Sequence, residues 1–325
     1  MASSVYPNQD GTVTASDAAN FIPAIWSDEI IAAYQKNLVL APLVRKMSMV
    51  GKKGDTMYIP KPVRGAATAK AASTAVTIQE HSDTQLAIVV DQHFEYSRMI
   101  EDFADVQSQT SLRRFYTEDA GYAMSKVVDD NLFNRGTEFG TGGYVAAPAP
   151  ADWVSDATFY NDGGSGPAVA WAENAVLAAD ILTDAFIRNM IQKMDDNDVP
   201  MSDRFLIIPP SARNALMGID RYVSSDFGGG QTVVNGKLGN VYGMDVYVSS
   251  NCPIIETASE NAAGTAVVRG AMMAHKDTIV LAEQKGIRSQ VQYKQEFLGT
   301  LLTSDRIYGT KVARPESGFI LALAD

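Results

Sequence analysis

Apolar residues fall in two rhythms along this chain, one close to the 3.6-residue turn of a helix and one alternating, with stretches of small or polar residues between them. Residues 1–20 show neither rhythm and read as an arm that orders only against something else. Ser27 then caps a predicted helix. Asp28 and Glu29 fill its first turn, where the positive end of the helix dipole favours carboxylates, and Ile30, Ile31, Tyr34 and Leu38 form its apolar face. Pro42 marks its expected end.

From residue 51 the pattern becomes strand-like. GDTMYIPKP leads into a tip over residues 65–75 made of Ala, Thr, Ser, Lys and Gly, and a long alternating run returns from it. A tip without large apolar residues buries no core, so residues 51–97 are expected to form an extended two-stranded loop. Over residues 109–135, Leu112, Phe115, Tyr116, Ala120, Met124, Val128 and Leu132 keep helical spacing with no proline between them. The prediction is one helix on the order of 40 Å long, stopped at Gly136.

Residues 136–170, rich in Gly, Pro and aromatics, read as an irregular insertion. Leu182, Phe186, Met190, Ile191 and Met194 predict a second amphipathic helix ending before Pro200, and RFLII over residues 204–208 predicts a buried strand. Pro209 and Pro210 then open a short helix over SARNALM, because proline suits the first helical turn. Further strands are expected over residues 244–249, 265–273 and 278–281, with a closing strand pair that ends in FILALA. No repeat of solenoid period is present.

Composition narrows the function. With 325 residues, 46% of them hydrophobic, the chain can build a sizeable core. Its 27 Lys plus Arg against 38 Asp plus Glu give a net charge of −11, which opposes non-specific attraction to phosphate backbones and anionic membranes. The loop reverses that sign: Lys52, Lys53, Lys61, Arg64 and Lys70 stand against Asp55 and Glu80, which points to docking on an acidic surface such as another copy. Cys252 is the single cysteine, which excludes an intramolecular disulfide and a thiolate metal cluster. With no base or cation beside it in sequence, it reads as a small buried hydrophobe. The first residues lack a basic start and an apolar run, and no stretch reaches the roughly 18 apolar residues of a membrane span, so neither export nor insertion is expected.

Candidate chemistry is sparse. GQTVVNGKL, residues 230–238, approaches a phosphate-binding loop, but Gly230 and Gly236 are one residue too far apart and Leu238 stands where a Mg²⁺-binding hydroxyl belongs. GTGGY, residues 140–144, reads as a turn. Asp91, His93 and Glu95 alternate, so a strand would present all three on one face, either as the start of a metal site or as a solvated polar face; His81 and His275 are isolated. No nucleophile elbow, HExxH motif or acid pair accompanies them. No catalytic residue, metal or cofactor is expected.

The order of elements, together with FIPAIWSDEIIAAYQKNLVLAPLVRK, GDTMYIPKP, VPMSDRFLIIPPSARNALM, GKLGNVYGMDVYVSSNCP and DRIYGTKVARPESGFIL, resembles the major capsid proteins of tailed double-stranded DNA phages, most of all those of short-tailed phages. Arg314, Pro315 and Glu316 before the apolar close match that family's final pattern. The resemblance implies an α+β Hong Kong 97-type capsid fold. It implies an N-terminal arm over residues 1–50, an extended loop over 51–97, and a peripheral domain with spine helix and insertion over 98–200. An axial domain over 201–298 and a return to the peripheral domain over 299–325 complete it.

The implied function is a non-enzymatic major capsid protein. Its copies form hexamers and pentamers of an icosahedral shell, assembled in the host bacterial cytoplasm, that encloses double-stranded DNA without reading its sequence. A scaffolding protein during assembly and a portal protein at one vertex are the implied partners; no membrane and no long cleaved prodomain are expected. Inter-subunit contacts are expected at Lys52, Lys53, Lys61, Arg64, Lys70, Arg314 and Glu316. Lys61 and Lys70 lie in the loop that in some relatives carries a crosslinking lysine, but no partner Asn or assisting Glu is matched, so no crosslink is expected. Two alternatives stand beside this one: an encapsulin-type nanocompartment shell, which resembles the same fold, and a metal-dependent enzyme using Asp91, His93 and Glu95.

Overall fold

A single helical turn, α1 (Leu40–Leu43), opens the part of the chain that the computed structural model describes, which comprises residues 38–51, 54–62, 65, 67–76, 78, 83–102, 112–140, 153–162, 168–171, 175–219, 239–257 and 267–325. The arm and the helix expected from Ser27 lie outside those residues, apart from the final stretch that α1 occupies. Pro42 sits within α1 rather than beyond a helix end. As the third residue of the turn it lacks an N–H that would have had no intrahelical acceptor.

Strands β1 (Arg45–Ser48), β2 (Thr56–Pro62), β3 (Asp83–Val89) and β4 (Gln92–Glu101) follow, then helix α2 (Leu112–Asn134). Its 23 residues span about 35 Å. Ala120, Met124, Val128 and Leu132 recur every fourth residue and are all buried, and Asp129 and Phe133 are buried beside them, so the second half of the helix turns one side to the core. Beyond it the expected insertion contains two strands, β5 (Thr158–Asn161) and β6 (Ala168–Ala170). Helix α3 (Asp184–Asp196) begins where the Thr183 side chain accepts the Phe186 N–H, and it buries Phe186, Ile187, Met190 and Met194.

Next come β7 (Arg204–Ile208), buried at every position, and α4 (Pro210–Met217), with proline at its first residue as expected. β8 (Asn240–Val241), β9 (Met244–Val248), β10 (Ile254–Glu256), β11 (Val268–His275), β12 (Ile279–Lys294), β13 (Gly299–Val312) and β14 (Gly318–Ala324) complete the chain.

These strands make three sheets. One has eight strands in the order β6-β5-β14-β11-β7-β9-β8, with β10 on β11. One has four, β1-β12-β13-β4, and the third is the isolated β2-β3 pair. The last two strands are not partners, contrary to the expected closing pair. β13 lies between β12 and β4, whereas β14 is antiparallel to β11 and parallel to β5. All seven residues of GFILALA are buried because both neighbouring strands and both sheet faces cover them, which is why that stretch reads as an unbroken apolar run. The strand expected over residues 278–281 continues for 16 residues to Lys294, and the outer part of β12 is exposed.

Trp153 joins the long helix to the eight-stranded sheet. Its indole N–H donates to the Phe133 carbonyl at the end of α2 (2.6 Å), and its ring covers two glycines. A Cβ on Gly270, in the middle of β11, would stand 2.2 Å from that ring, and one on Gly136 2.7 Å. Gly121, in the middle of α2, has open space around its missing side chain. Gly270→Ala is therefore expected to destabilise the subunit by about 1–3 kcal/mol through overpacking. Gly121→Ala should stabilise it by about 0.5–1 kcal/mol through helix propensity. Denaturant unfolding of the isolated subunit checks both, and two shifts of the same sign would contradict the packing described.

Candidate functional site

The β2-β3 pair is a ribbon of seven cross-strand pairs, from Thr56 opposite Val89 to Pro62 opposite Asp83. Its described tip residues, 65, 67–76 and 78, are exposed; Val76 and Ile78 are 72% and 90% accessible. The root is fixed. Met49, Ile88, Val280 and Ala282 form a small separate core, against which Met57, Ile59, Leu86 and Val90 pack. Val90 N–H donates to the Asp55 carbonyl (2.8 Å) and Gln284 Nε2 to the Gly54 carbonyl (2.9 Å). A Cβ on Gly309 of β13 would fall 2.2 Å from the Val89 carbonyl oxygen, so the absence of a side chain there lets the ribbon lie directly on the four-stranded sheet.

A cleft of about 220 Å³ opens at this root. Ile59, Pro60, Leu86, Val280 and Ala313 make its walls aliphatic, and Arg45, Lys61 and Arg314 stand around it. Asp277 also lines it and pairs with Arg45 at 3.5 Å. Among the expected contact residues, the structure thus brings Lys61 and Arg314 together across 253 positions of sequence (314 minus 61). Lys70 stands apart on the exposed tip, and Glu316 lies in the 3-10 turn after Arg314, where its carbonyl accepts from Asn197 Nδ2 (2.9 Å). Lys52, Lys53 and Arg64 lie outside the described residues. Arg45 was missed because its place in the cleft comes from the parallel pairing of β1 with β12, a long-range contact with no local sequence signal.

Behind the ribbon, a fully buried carboxylate ties three distant segments together. Asp129 of α2 accepts from the Leu40 N–H at the start of α1 (2.8 Å) and from Asn251 Nδ2 (3.3 Å). Asn251 also donates to Asp130 (2.6 Å), whose other oxygen takes Lys126 Nζ at 2.8 Å. Burial pushes the Asp129 carboxyl above its ordinary pKa, and the hydrogen bonds from Leu40 and Asn251 pull the other way.

The Asp91, His93 and Glu95 set does not assemble. Asp91 precedes β4 and takes a hydrogen bond from Gln92, while His93 Nε2 stands 3.7 Å from Asp305. Asp305 is held by Arg288 (2.9 and 3.1 Å) and Lys285 (3.0 Å), so cations already occupy the carboxylate nearest the histidine. Among the described residues no group of three His, Cys, Asp or Glu side chains is placed to hold a metal. Cys252 is buried. The GQTVVNGKL segment lies outside the described residues, as does GTGGY except for Gly140. No described helix is long and apolar enough to cross a membrane.

Comparison with known proteins supplies the family. The sequence profile described as "Phage capsid protein" matches residues 20–317. Among curated proteins nothing matches. Solved structures resemble the fold throughout. A structure from Mycobacterium phage Che8 has a TM-score of 0.69 at 21% identity, covering 93% of this chain and 97% of its own. The capsid of the cyanophage P-SCSP1u has a TM-score of 0.71 at 16% identity, covering 98% of each chain. The capsid of Ralstonia phage GP4 has a TM-score of 0.65 at 14% identity, covering 100% of this chain and 98% of its own.

The Asp305 cluster gives a pH signature. The hydrogen bonds from Arg288, helped by Lys285 and opposed by partial burial, lower its carboxyl from 3.8 to about 2. A carboxylate whose folded pKa is depressed stabilises the fold above its unfolded pKa and loses that contribution as pH falls through the folded value. Asp305→Asn is expected to flatten the fall of stability between pH 3.8 and about 2, measured by urea unfolding at a series of pH values. An unchanged slope would mean that the cluster is spent on solvent rather than on the fold.

Proposed function

The chain belongs to the phage capsid protein family, and from that premise we propose how its parts divide the work of building a shell. It is a major capsid protein of the Hong Kong 97-type fold, a structural and non-catalytic subunit whose copies self-assemble into the icosahedral shell of a virion. The match over residues 20–317 carries this conclusion.

In our reading, residues 1–50 are the arm and 51–97 the extended loop that reaches a neighbour; the exposed ribbon with its anchored root supports the latter. Residues 98–200 form the peripheral domain with α2 as its spine, a role supported by the packing of α2 against the four-stranded sheet through Tyr308, which accepts from Asn131 Nδ2. Residues 201–298 form the axial domain at the capsomer centre, supported by the buried β7 and the parallel β7-β9 pair. The closing segment 299–325 links the two large sheets, since β13 runs with β4 and β14 with β11.

Hexamers and pentamers hold together through many small contacts repeated over a lattice, at Lys52, Lys53, Lys61, Arg64, Lys70, Arg314 and Glu316. The shell takes up double-stranded DNA without sequence reading; the net charge of −11 supports a wall that repels phosphates and leaves the genome mobile. A scaffolding protein, a portal vertex, assembly in the bacterial cytoplasm and a short-tailed phage as source are carried over from the family resemblance. Negative-stain microscopy of the expressed chain, with and without its neighbouring genes, should show icosahedral shells. Isolated capsomers should bind DNA weakly at low salt. Monomers under every condition would overturn the first expectation, and tight salt-sensitive DNA binding the second.

A further inference from the structure

We propose that the cleft at the ribbon root is a socket for the acidic turn between α3 and β7 of a second copy of the chain, with Met201 seated on its aliphatic walls between Lys61 and Arg314. The inference rests on the shell reading above and names a contact within it.

The socket is side-chain sized. Its volume of about 220 Å³ falls below the roughly 300–1,000 Å³ of small-molecule sites. Its chemistry calls for an occupant with both an apolar tip and negative charge. Arg45 is engaged by Asp277, but Lys61 and Arg314 form no ion pair among the described residues.

The α3-β7 turn has the complementary composition. Over residues 195–203, DDNDVPMSD, it holds four aspartates and no Lys or Arg. Asp196, Asp198 and Asp203 are exposed, and Met201 is 76% accessible, an outward apolar tip among the aspartates.

The turn is also rigid before any partner arrives. Asp195 takes Arg204 Nη2 at 2.7 Å, Val199 N–H donates to the Met194 carbonyl (3.1 Å), and Lys276 N–H donates to the Asp203 carbonyl (3.1 Å). Asp198 and Asp203 are held at φ 54° and 56°, left-handed conformations that aspartate tolerates and that last only where surroundings impose them. A knob built this way loses little conformational entropy on docking.

In its own chain the turn stays outside the cleft, whose lining includes none of residues 195–203. Asn197 is tied to the Glu316 carbonyl, two residues from Arg314, and Lys276, next to Asp277, to the Asp203 carbonyl; Arg314 and Asp277 both line the cleft. Knob and socket therefore sit side by side on one chain, the self-complementary layout in which two copies each fill the other. One such contact is small, and repetition over the shell supplies the strength.

A charge-swap series tests this with the full chain. Lys61→Glu with Arg314→Glu, and separately Asp196→Lys with Asp198→Asn, asparagine tolerating the left-handed backbone as aspartate does, should each raise the subunit concentration needed for shell assembly by about tenfold, the effect of losing about 1.4 kcal/mol per subunit. Thermal unfolding should remain as in the wild type, because none of the four side chains is buried. All four changes in one chain should restore assembly. Either pair assembling normally, or the combined chain doing no better than the pairs, would overturn the proposal while wild-type shells left the function standing. Loss of assembly on the socket side alone would mean that a different acidic segment fills the cleft. A wild-type chain that never assembles would remove the shell reading and this contact together.

Discussion

A carboxylate with no access to water holds the three parts of this subunit in register. Asp129 receives the first N–H of α1, an amide from the loop after β9, and the apolar pressure of the surrounding α2 stripe. An unpaired charge at that position would be strongly unfavourable, so the segments that satisfy it have one arrangement available. The start of the described chain is thereby set against α2, and α2 against the eight-stranded sheet. The four-stranded sheet takes its position from the same helix through Asn131, which donates to the Tyr308 hydroxyl of β13. Burial and hydrogen bonding pull the Asp129 proton in opposite directions, so the junction depends on geometry rather than on charge alone.

Around that junction the molecule spends its apolar residues unevenly. Strands β7, β11 and β14 are buried almost throughout, whereas the ribbon, the outer half of β12 and the turn after it leave Tyr58, Val291, Tyr293, Phe297 and Leu298 exposed. For an isolated soluble subunit such exposure is a liability. In a closed shell such surface is available to a neighbour, and on the contacts proposed above the local excess of cations in this acidic chain fits the same use.

Much of the second half of the chain was legible in the sequence because its signals are local. RFLII followed by two prolines and SARNALM specifies a buried strand, a turn and a helix within fourteen residues, 204–217, and the structure has them there. Helix α2 was legible for the same reason, its stripe recurring at every fourth residue. The outer half of β12, IRSQVQYK, was not: Ile287, Val291 and Tyr293 alternate with polar residues, but their face stays exposed and marks no core. β5 and β6 were hidden among Gly and Pro, and the partner of β14 was misjudged because pairing with β11, some fifty positions away, leaves no trace in the local pattern. Of the candidate site, Lys61 and Arg314 were visible as isolated charges; the cleft that unites them, with Arg45, is a product of tertiary packing.

The close approach of Gly309 to Val89 sets the mechanics of the ribbon. A pair of strands clamped on one sheet and unsupported beyond it is a cantilever: bending moment is greatest at the clamp and deflection greatest at the free end. The clamp here is dry and tight, with no side chain between the two backbones, and seven paired residues make the beam stiff for its first 20 Å or so. In a shell built as proposed, differences in curvature between five-fold and six-fold positions then fall on parts of the subunit other than this clamp. The root can then keep one geometry in every copy.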